Sequence, residues 1–376
     1  ARAGLGRGDR FAVWAPNSLG WIVAALGCQS VGAALVPVNT RWKGAEAADI
    51  IRRARVRVLF TTVGFLGTDP VAMLADEPLP DLDQIVLLPG SDPASGALPW
   101  HEWARESSTS AGKVGPDDPS DILFTSGTTG RPKGVVMTHS QTVRQFNDWC
   151  DFATLEPGDR YLVVNPFFHM FGYKAGWVAA LMRGATVYPV PVFDVDAVLG
   201  LVERERITVL PGAPTIYRSI LDHPRRRDYD LSSLRVAVTG AADIPVSLIE
   251  EVRAELPFRV VLTGYGLTEA GTVTGTKPDD DAHTIATTAG RAMPDLDVAV
   301  VDGELLVRGF SVMQGYLDDP EALAAAIDAD GFLHTGDLAE IDDRGYVRIV
   351  GRLKDMLIVG GFNVYPVEVE HDDLRA

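Results

Sequence analysis

Ten consecutive residues, Thr125-Ser126-Gly127-Thr128-Thr129-Gly130-Arg131-Pro132-Lys133-Gly134, concentrate small, hydroxylated and cationic groups. Glycines free the backbone to turn its N–H groups inward into an anion-binding concavity, the hydroxyls add donors, and Lys133 adds a point charge. That set suits a triphosphate. It is not the loop of P-loop NTPases, which requires G-x-x-x-x-G-K-[ST]: here Gly127 and Gly130 stand too close and Gly134 follows the lysine. A polar surface turn is the bland alternative, and it does not call for this run of residue types.

The rest of the chain makes such a loop necessary. Among 376 residues, 34 Lys and Arg face 51 Asp and Glu, a net charge of −17. A field of that sign disfavours nucleic acid and anionic membranes and repels phosphorylated ligands, so a nucleotide site must be assembled locally. Only six basic residues are lysines, Lys43, Lys113, Lys133, Lys174, Lys277 and Lys354, against 28 arginines, so each lysine stands out. Cys28 and Cys150 are too few for a disulfide framework or a cysteine metal site, and a reduced, cytoplasmic setting fits. No apolar run approaches the roughly 18 to 20 residues of a membrane span.

Strand–helix alternation positions the loop. Strands are predicted at Asp9–Trp14, Ala34–Val38, Val56–Thr61, Gln84–Leu88, Asp121–Thr125, Tyr161–Asn165, Thr186–Val190, Thr208–Leu210, Leu234–Thr239 and Arg259–Leu262. Helices are predicted at Ser18–Ser30 with Ser18 as N-cap, at Ala45–Arg53, and at Pro245–Leu256 with Pro245 in the first turn. The fold class is α/β, helix-covered and mainly parallel. From about residue 297 the texture becomes antiparallel: Asp302-Gly303 between Val298–Val301 and Glu304–Val307 is a hairpin signal.

Further segments carry chemistry at predicted strand ends, where open α/β sheets bind ligands in one crevice. They are Thr239-Gly240-Ala241-Ala242-Asp243 and Thr263-Gly264-Tyr265-Gly266-Leu267-Thr268-Glu269. Leu333-His334-Thr335-Gly336-Asp337, Gly351-Arg352-Leu353-Lys354-Asp355 and the aromatic run Asn165-Pro166-Phe167-Phe168-His169-Met170-Phe171-Gly172-Tyr173-Lys174 follow other elements. In this order, and with the glycine-rich loop, they resemble the adenylate-forming superfamily of acyl-CoA synthetases, peptide-synthetase adenylation domains and luciferases, over essentially the whole chain.

The resemblance implies roles. Thr125 to Gly130, Lys133 and Thr268 would hold the ATP phosphates. Gly240, Ala241, Ala242, Gly264, Tyr265 and Gly266 would hold adenine, with Tyr265 stacking on the ring. Asp337 and Arg352 would take the ribose, and Glu269 would hold Mg²⁺, a cation that needs few carboxylates beside phosphate oxygens. His169, Phe171, Gly172, Tyr173, Lys174, Pro211, Thr215 and Gly266 would border the acid. Lys133, Thr268, Glu269 and His169 are the catalytic candidates. His169 either gates the acyl and thiol channels or merely packs. Lys174 either snorkels at a helix start or meets a second oxygen function on the substrate. No Asp falls in Asn165–Lys174, which argues against an α-amino acid.

The implied reaction is an attack by a carboxylate on the α-phosphorus of ATP, releasing pyrophosphate, then transfer of the acyl group to a thiol, that of coenzyme A or of a carrier-protein arm. Residues 1–353 would form a large N-terminal domain. Residues 354–376 would begin a mobile α+β C-terminal domain that is largely absent, with Lys354 as hinge and Gly360, Gly361 and Asn363 along the pantetheine tunnel. The lysine that bridges carboxylate and phosphate in relatives would lie beyond Ala376, so this stretch is expected to bind ATP but adenylate poorly. A monomer or homodimer is expected. Within the family, Asn165–Gly176, Ile207–Gly212 and Gly360–Pro366 are similar to actinobacterial ligases of steroid-ring degradation, which implies an indanedione propanoate; a fatty acid is the other substrate class.

Overall fold

Continuous apolar runs build the centre of the chain's first sheet. Arg10–Trp14, Ala34–Pro37 and Val58–Thr61 are buried along nearly every residue, the signature of parallel strands covered on both faces. The structure is a computed structural model describing residues 4–94, 96–105, 113–125, 131–240, 244–353, 357–359 and 362–364. It divides into two compact units, the first Ala1–Asn147, Glu156–Asp194 and Met313–Asp319, the second Asp148–Leu155, Val195–Val312 and Pro320–Ala376.

In the first unit an eight-stranded sheet runs in the order Gly315–Tyr316, Lys133–Thr138, Pro119–Thr125, Ala34–Pro37, Arg10–Trp14, Val58–Thr61, Gln84–Leu87, Leu98–Pro99. Its pairings are parallel except at the Gly315–Tyr316 and Lys133–Thr138 end, where they are antiparallel. The helix Leu19–Gln29 begins at Ser18, whose side chain accepts from the Trp21 N–H at 3.2 Å, the N-cap expected. The helix Gly44–Arg53 buries Ala47, Ala48, Ile50 and Ile51 against Ala12, Val36 and Leu59, each isoleucine contributing roughly 1.5–3 kcal/mol.

A second layer of the first unit carries the aromatic run. The strands Arg160–Val163 and Thr186–Pro189 pair in parallel. Between them in the chain comes a turn of helix at Met170–Gly172 that widens into a π-helix over Tyr173–Val178, then the helix Ala179–Met182. Only glycine fits at Gly172, where a Cβ would lie 2.2 Å from the Pro166 carbonyl oxygen and 2.3 Å from that of Asn165. Trp21, Phe167, Tyr173 and Trp177 pack edge to face or tilted, with centroids 5.2 to 6.4 Å apart. Buried Asn17 ties the preceding loop down. Its amide donates to the carbonyls of Val163 at 3.2 Å and Asn165 at 2.9 Å, and its Oδ1 accepts from the Phe167 N–H at 2.7 Å.

The second unit holds two four-stranded sheets. Val236–Gly240 pairs in parallel with Val260–Leu267, which continues antiparallel to Gly271–Gly275 and Arg291–Ala292. The strand expected to end at Leu262 therefore runs on to Leu267, because the glycine-rich stretch finds an antiparallel partner that no apolar alternation announces. Thr208–Leu210 forms a single bridge, Val209 to Val236, with Pro211 following at once. Pro245 stands at the N-cap rather than inside the helix Val246–Glu255. The other sheet is an antiparallel meander of Leu296–Val301, Glu304–Gly309, Leu333–Ile341 and Val347–Arg352. Its first hairpin turns on Asp302 and Gly303, both at positive φ (51° and 82°), as the sequence signal requires. Among the described residues no helix is long and apolar enough to cross a membrane.

Asn17→Ala removes the acceptor of a buried backbone N–H, at a cost of roughly 1–3 kcal/mol. Denaturant unfolding should show a lower midpoint with an unchanged slope; an unchanged midpoint would mean that the Phe167 loop does not depend on this tether.

Candidate active site

Thr125 and Lys133, the two ends of the glycine-rich segment, are register partners on antiparallel strands. Ser126 to Gly130 lie outside the described residues, so the donors expected there are not described. At the returning end, Arg131 pairs with Asp49 at 2.6 Å and Arg53 donates to the Pro132 carbonyl at 2.7 Å. Lys133 Nζ stands 4.8 Å from the centre of the Tyr316 ring. The cross-strand partner of Tyr316 is Val135, so Lys133 is its diagonal neighbour on one face. An aromatic face holds an ammonium in place without cancelling its charge, which leaves that charge available to an anion.

The aromatic run divides. His169 caps the turn Met170–Gly172, its Nδ1 accepting from the Phe171 N–H at 3.2 Å, which puts the neutral ring's proton on Nε2. The ring edge reaches solvent although protein atoms crowd it, and that desolvation holds its pKa below the ordinary histidine value. Phe171 is half-buried. Gly172, Tyr173 and Lys174, expected to border the acid, lie in the core. Tyr173 accepts from Gln29 Nε2 at 2.9 Å. Lys174 does not snorkel: it is 2% exposed, and Nζ lies 2.9 Å from Asp121 Oδ1, a carboxylate with no exposure at all. Nothing in the run itself points to Asp121, far away in sequence.

In the second unit, Gly240 and Gly264 are parallel register partners, so the two glycine-rich segments stand on adjacent strands; Ala241 and Ala242 lie outside the described residues. Tyr265 lies two residues before the end of its strand, where the register slips before Gly266, and packs against Leu305, Ala339 and Val347. Its hydroxyl donates to Asp337 Oδ2 at 2.5 Å, while Arg352 Nε lies 3.2 Å from Asp337 Oδ1. Burial, and then the Asp337 charge, push the Tyr265 hydroxyl's pKa far up, so it remains a donor. Each Asp337 oxygen keeps a second lone pair for an incoming hydroxyl. The turn before Asp337 is fixed by Thr335 Oγ1, which accepts from the Asp337 N–H at 3.1 Å, and by Glu304, which accepts from the Gly336 N–H at 2.9 Å.

Thr268 and Glu269 lie in the tight turn joining Val260–Leu267 to Gly271–Gly275, and both are half-buried. No cluster of three or more His, Cys, Asp or Glu capable of holding a metal occurs among the described residues. One carboxylate ligand suits Mg²⁺ completed by phosphate oxygens rather than a closed protein cage. Pro211 is buried, Thr215 and Gly266 are exposed. Lys354, Gly360 and Gly361 lie outside the described residues; Asn363 pairs with Ile358 in a short hairpin, Leu357–Val359 with Phe362–Val364.

The family model for AMP-binding enzymes matches residues 1–317. The chain belongs to the AMP-binding enzyme family. It is 54% identical, over 97% of its length and 73% of the relative's, to the 3-[(3aS,4S,7aS)-7a-methyl-1,5-dioxo-octahydro-1H-inden-4-yl]propanoyl:CoA ligase of Rhodococcus jostii. It is 52% identical to the ligase of the same name from Mycobacterium tuberculosis, over 98% of its length and 74% of the relative's. A solved fatty acyl CoA synthetase from Mycobacterium tuberculosis superposes with a TM-score of 0.86 at 31% identity, covering 98% of this chain and 73% of that one. Like these AMP-binding relatives, the protein is an AMP-forming acid–thiol ligase, and such enzymes use ATP and CoA.

Sequence reasoning passed over Asn17, Asp121, Glu304 and Tyr316. Each acts on a site segment through a partner distant in the chain, and no local spacing signals that. For His169, an imidazole resonance identified by its loss in His169→Asn should titrate with a midpoint below about 6.5. A midpoint at or above that value would contradict the crowding around the ring.

Proposed function

We propose that this AMP-binding enzyme activates a ring-bearing propanoate of the indanedione class and joins it to coenzyme A. The observation that carries the substrate is the contrast in identity. It is 54% and 52% to two ligases named for an indanedione propanoate, against 31% to a fatty acyl CoA synthetase of the same fold.

In the first half-reaction a substrate carboxylate oxygen bonds to the α-phosphorus and the bond to the β-phosphate bridging oxygen breaks, giving acyl-AMP and pyrophosphate. In the second, the CoA thiol bonds to the acyl carbon, its proton is lost, and AMP leaves. Both substrates of the first step are anions, so the protein's contribution is positioning and charge neutralisation. Lys133, aimed by Tyr316, and the Thr125 and Thr268 hydroxyls serve the phosphates. Tyr265 offers its ring face to adenine, and Asp337 accepts from the ribose hydroxyls beside Arg352. Glu269 would hold Mg²⁺, which supplies further neutralisation of the triphosphate when bound. His169, neutral at pH 7, borders the acid together with Phe171.

Asp337→Ala should raise the KM for ATP about 10- to 100-fold, the loss of one or two hydrogen bonds to a charged acceptor. The KM for the acid should stay within about twofold, since Asp337 and the groups it holds, Tyr265 and Arg352, are all assigned to the nucleotide. Steady-state kinetics decide; an unchanged ATP KM would remove Asp337 from the ribose site.

The substrate is tested with the full-length enzyme on a panel of carboxylic acids, scoring CoA-dependent AMP production. An indanedione propanoate should exceed a fatty acid of similar carbon number by about tenfold or more in kcat/KM, a discrimination of about 1.4 kcal/mol. A preference for the fatty acid would overturn the substrate while leaving the reaction class intact.

A further inference from the structure

We propose that Asp121 and Lys174 are a pair of positioning residues that fixes the acid-bordering segment to the strand delivering the phosphate loop. The inference rests on the adenylating reading above and deepens it.

Lys174 is the second residue of the π-helix Tyr173–Val178, five positions after His169 and three after Phe171. Asp121 lies on Pro119–Thr125, four positions before Thr125. Side chains two and four apart on a strand share a face, so Asp121, Leu123 and Thr125 point the same way, spaced over roughly 13 Å. The ion pair thus ties the aromatic segment to the sheet face that bears Thr125, all within the first unit. The carboxylate is itself held: Oδ2 accepts from Ser120 Oγ at 2.5 Å, and that hydroxyl lies 3.1 Å from Thr142 Oγ1 and 3.2 Å from the Met137 carbonyl. On the other side, the Tyr161 hydroxyl donates to the Ala175 carbonyl at 2.7 Å, next to Lys174.

Stability alone does not account for such a pair. Two desolvated charges do no better in a core than well-packed apolar residues of the same volume, and often worse. What the pair adds is direction: an ammonium that must meet one carboxylate fixes the rotation of its helix, where apolar side chains tolerate several packings. The π turn makes the geometry demanding, since one extra residue in the circuit rotates the downstream residues by about 100° relative to the upstream ones. His169 and Phe171 precede the turn and Lys174 lies in it, so the pair sets where the histidine and phenylalanine stand.

The test compares full-length wild type with Asp121→Asn and with the double variant Asp121→Leu/Lys174→Met. Acyl-AMP formation is followed by pyrophosphate release, and thermal unfolding is measured alongside. The double variant should melt near wild type, yet lose roughly 10- to 100-fold in kcat/KM for the acid, with the KM for ATP within about twofold. Should it fail to fold, Asp121→Asn carries the same test. A folded variant with wild-type acid kinetics would overturn the proposal and reduce the pair to a core contact. A wild type that adenylates no acid in the panel would instead overturn the functional reading, and this one with it.

Discussion

The pairing of Thr125 with Lys133 across an antiparallel ladder is the constraint on which the proposed phosphate site rests. Opposed residues in such a ladder stand only about 4.5–5.5 Å apart, so the chain that departs at Thr125 comes back beside it at Lys133. The ladder is held on both sides. Leu35 pairs with Asp121 in parallel, and Gly315–Tyr316 adds a last short strand beyond Lys133–Thr138. That two-residue strand comes from far along the chain, and through it a tyrosine reaches the lysine. A sheet edge would otherwise leave Lys133 to wander on its flexible stem.

The second unit uses the same logic with a different group. Asp337 receives Tyr265 and Arg352 on separate oxygens, and its position descends from a turn several steps away. Asp302 and Gly303 accept positive φ and set the hairpin register, the hairpin places Glu304 opposite the strand that carries Gly336, and Glu304 then fixes the Gly336 N–H. Glu304 also lies 2.8 Å from His334 Nδ1, which secures the carboxylate in turn. A register slip of one residue would send Asp337 to the other face, so turn chemistry decides where this proposed ribose acceptor stands.

Legibility in the sequence is a matter of range. Apolar periodicity marked the longer parallel strands of the first sheet to within a residue or two, because buried central strands have to be apolar throughout, but it missed the two-residue edge strand Leu98–Pro99. The Ser18 cap and the Asp302-Gly303 turn were legible because their cause is local. The segments offered as sites stood out because they confine unusual residue types to short stretches, as between Thr125 and Gly134. Illegible were the strand Lys133–Thr138, the extension of Val260 to Leu267, and the fate of Lys174. Each is decided by a partner more than a dozen residues away or by an antiparallel neighbour that carries no alternation of its own. A lysine amid aromatic residues looks like a snorkelling or ligand-seeking group until the distant aspartate is known.

Partner type, more than charge count, explains how a strongly acidic chain can serve a polyanion. Many arginines are committed to carboxylates, among them Arg131 to Asp49, Arg57 to Asp9 and Asp83, and Arg308 to Asp297. Exposed pairs of this kind contribute little to stability, and beyond a Debye length of about 8–10 Å their field is screened. They quiet the surface without attracting nucleotide from afar. Lys174 is spent inside the core on Asp121. Lys133 differs from all of these, since among the described residues it forms no ion pair and rests on an aromatic ring. A ring orients the ammonium and leaves nearly its full charge, so under the proposed reading the attraction for phosphate is confined to the few ångströms around this residue.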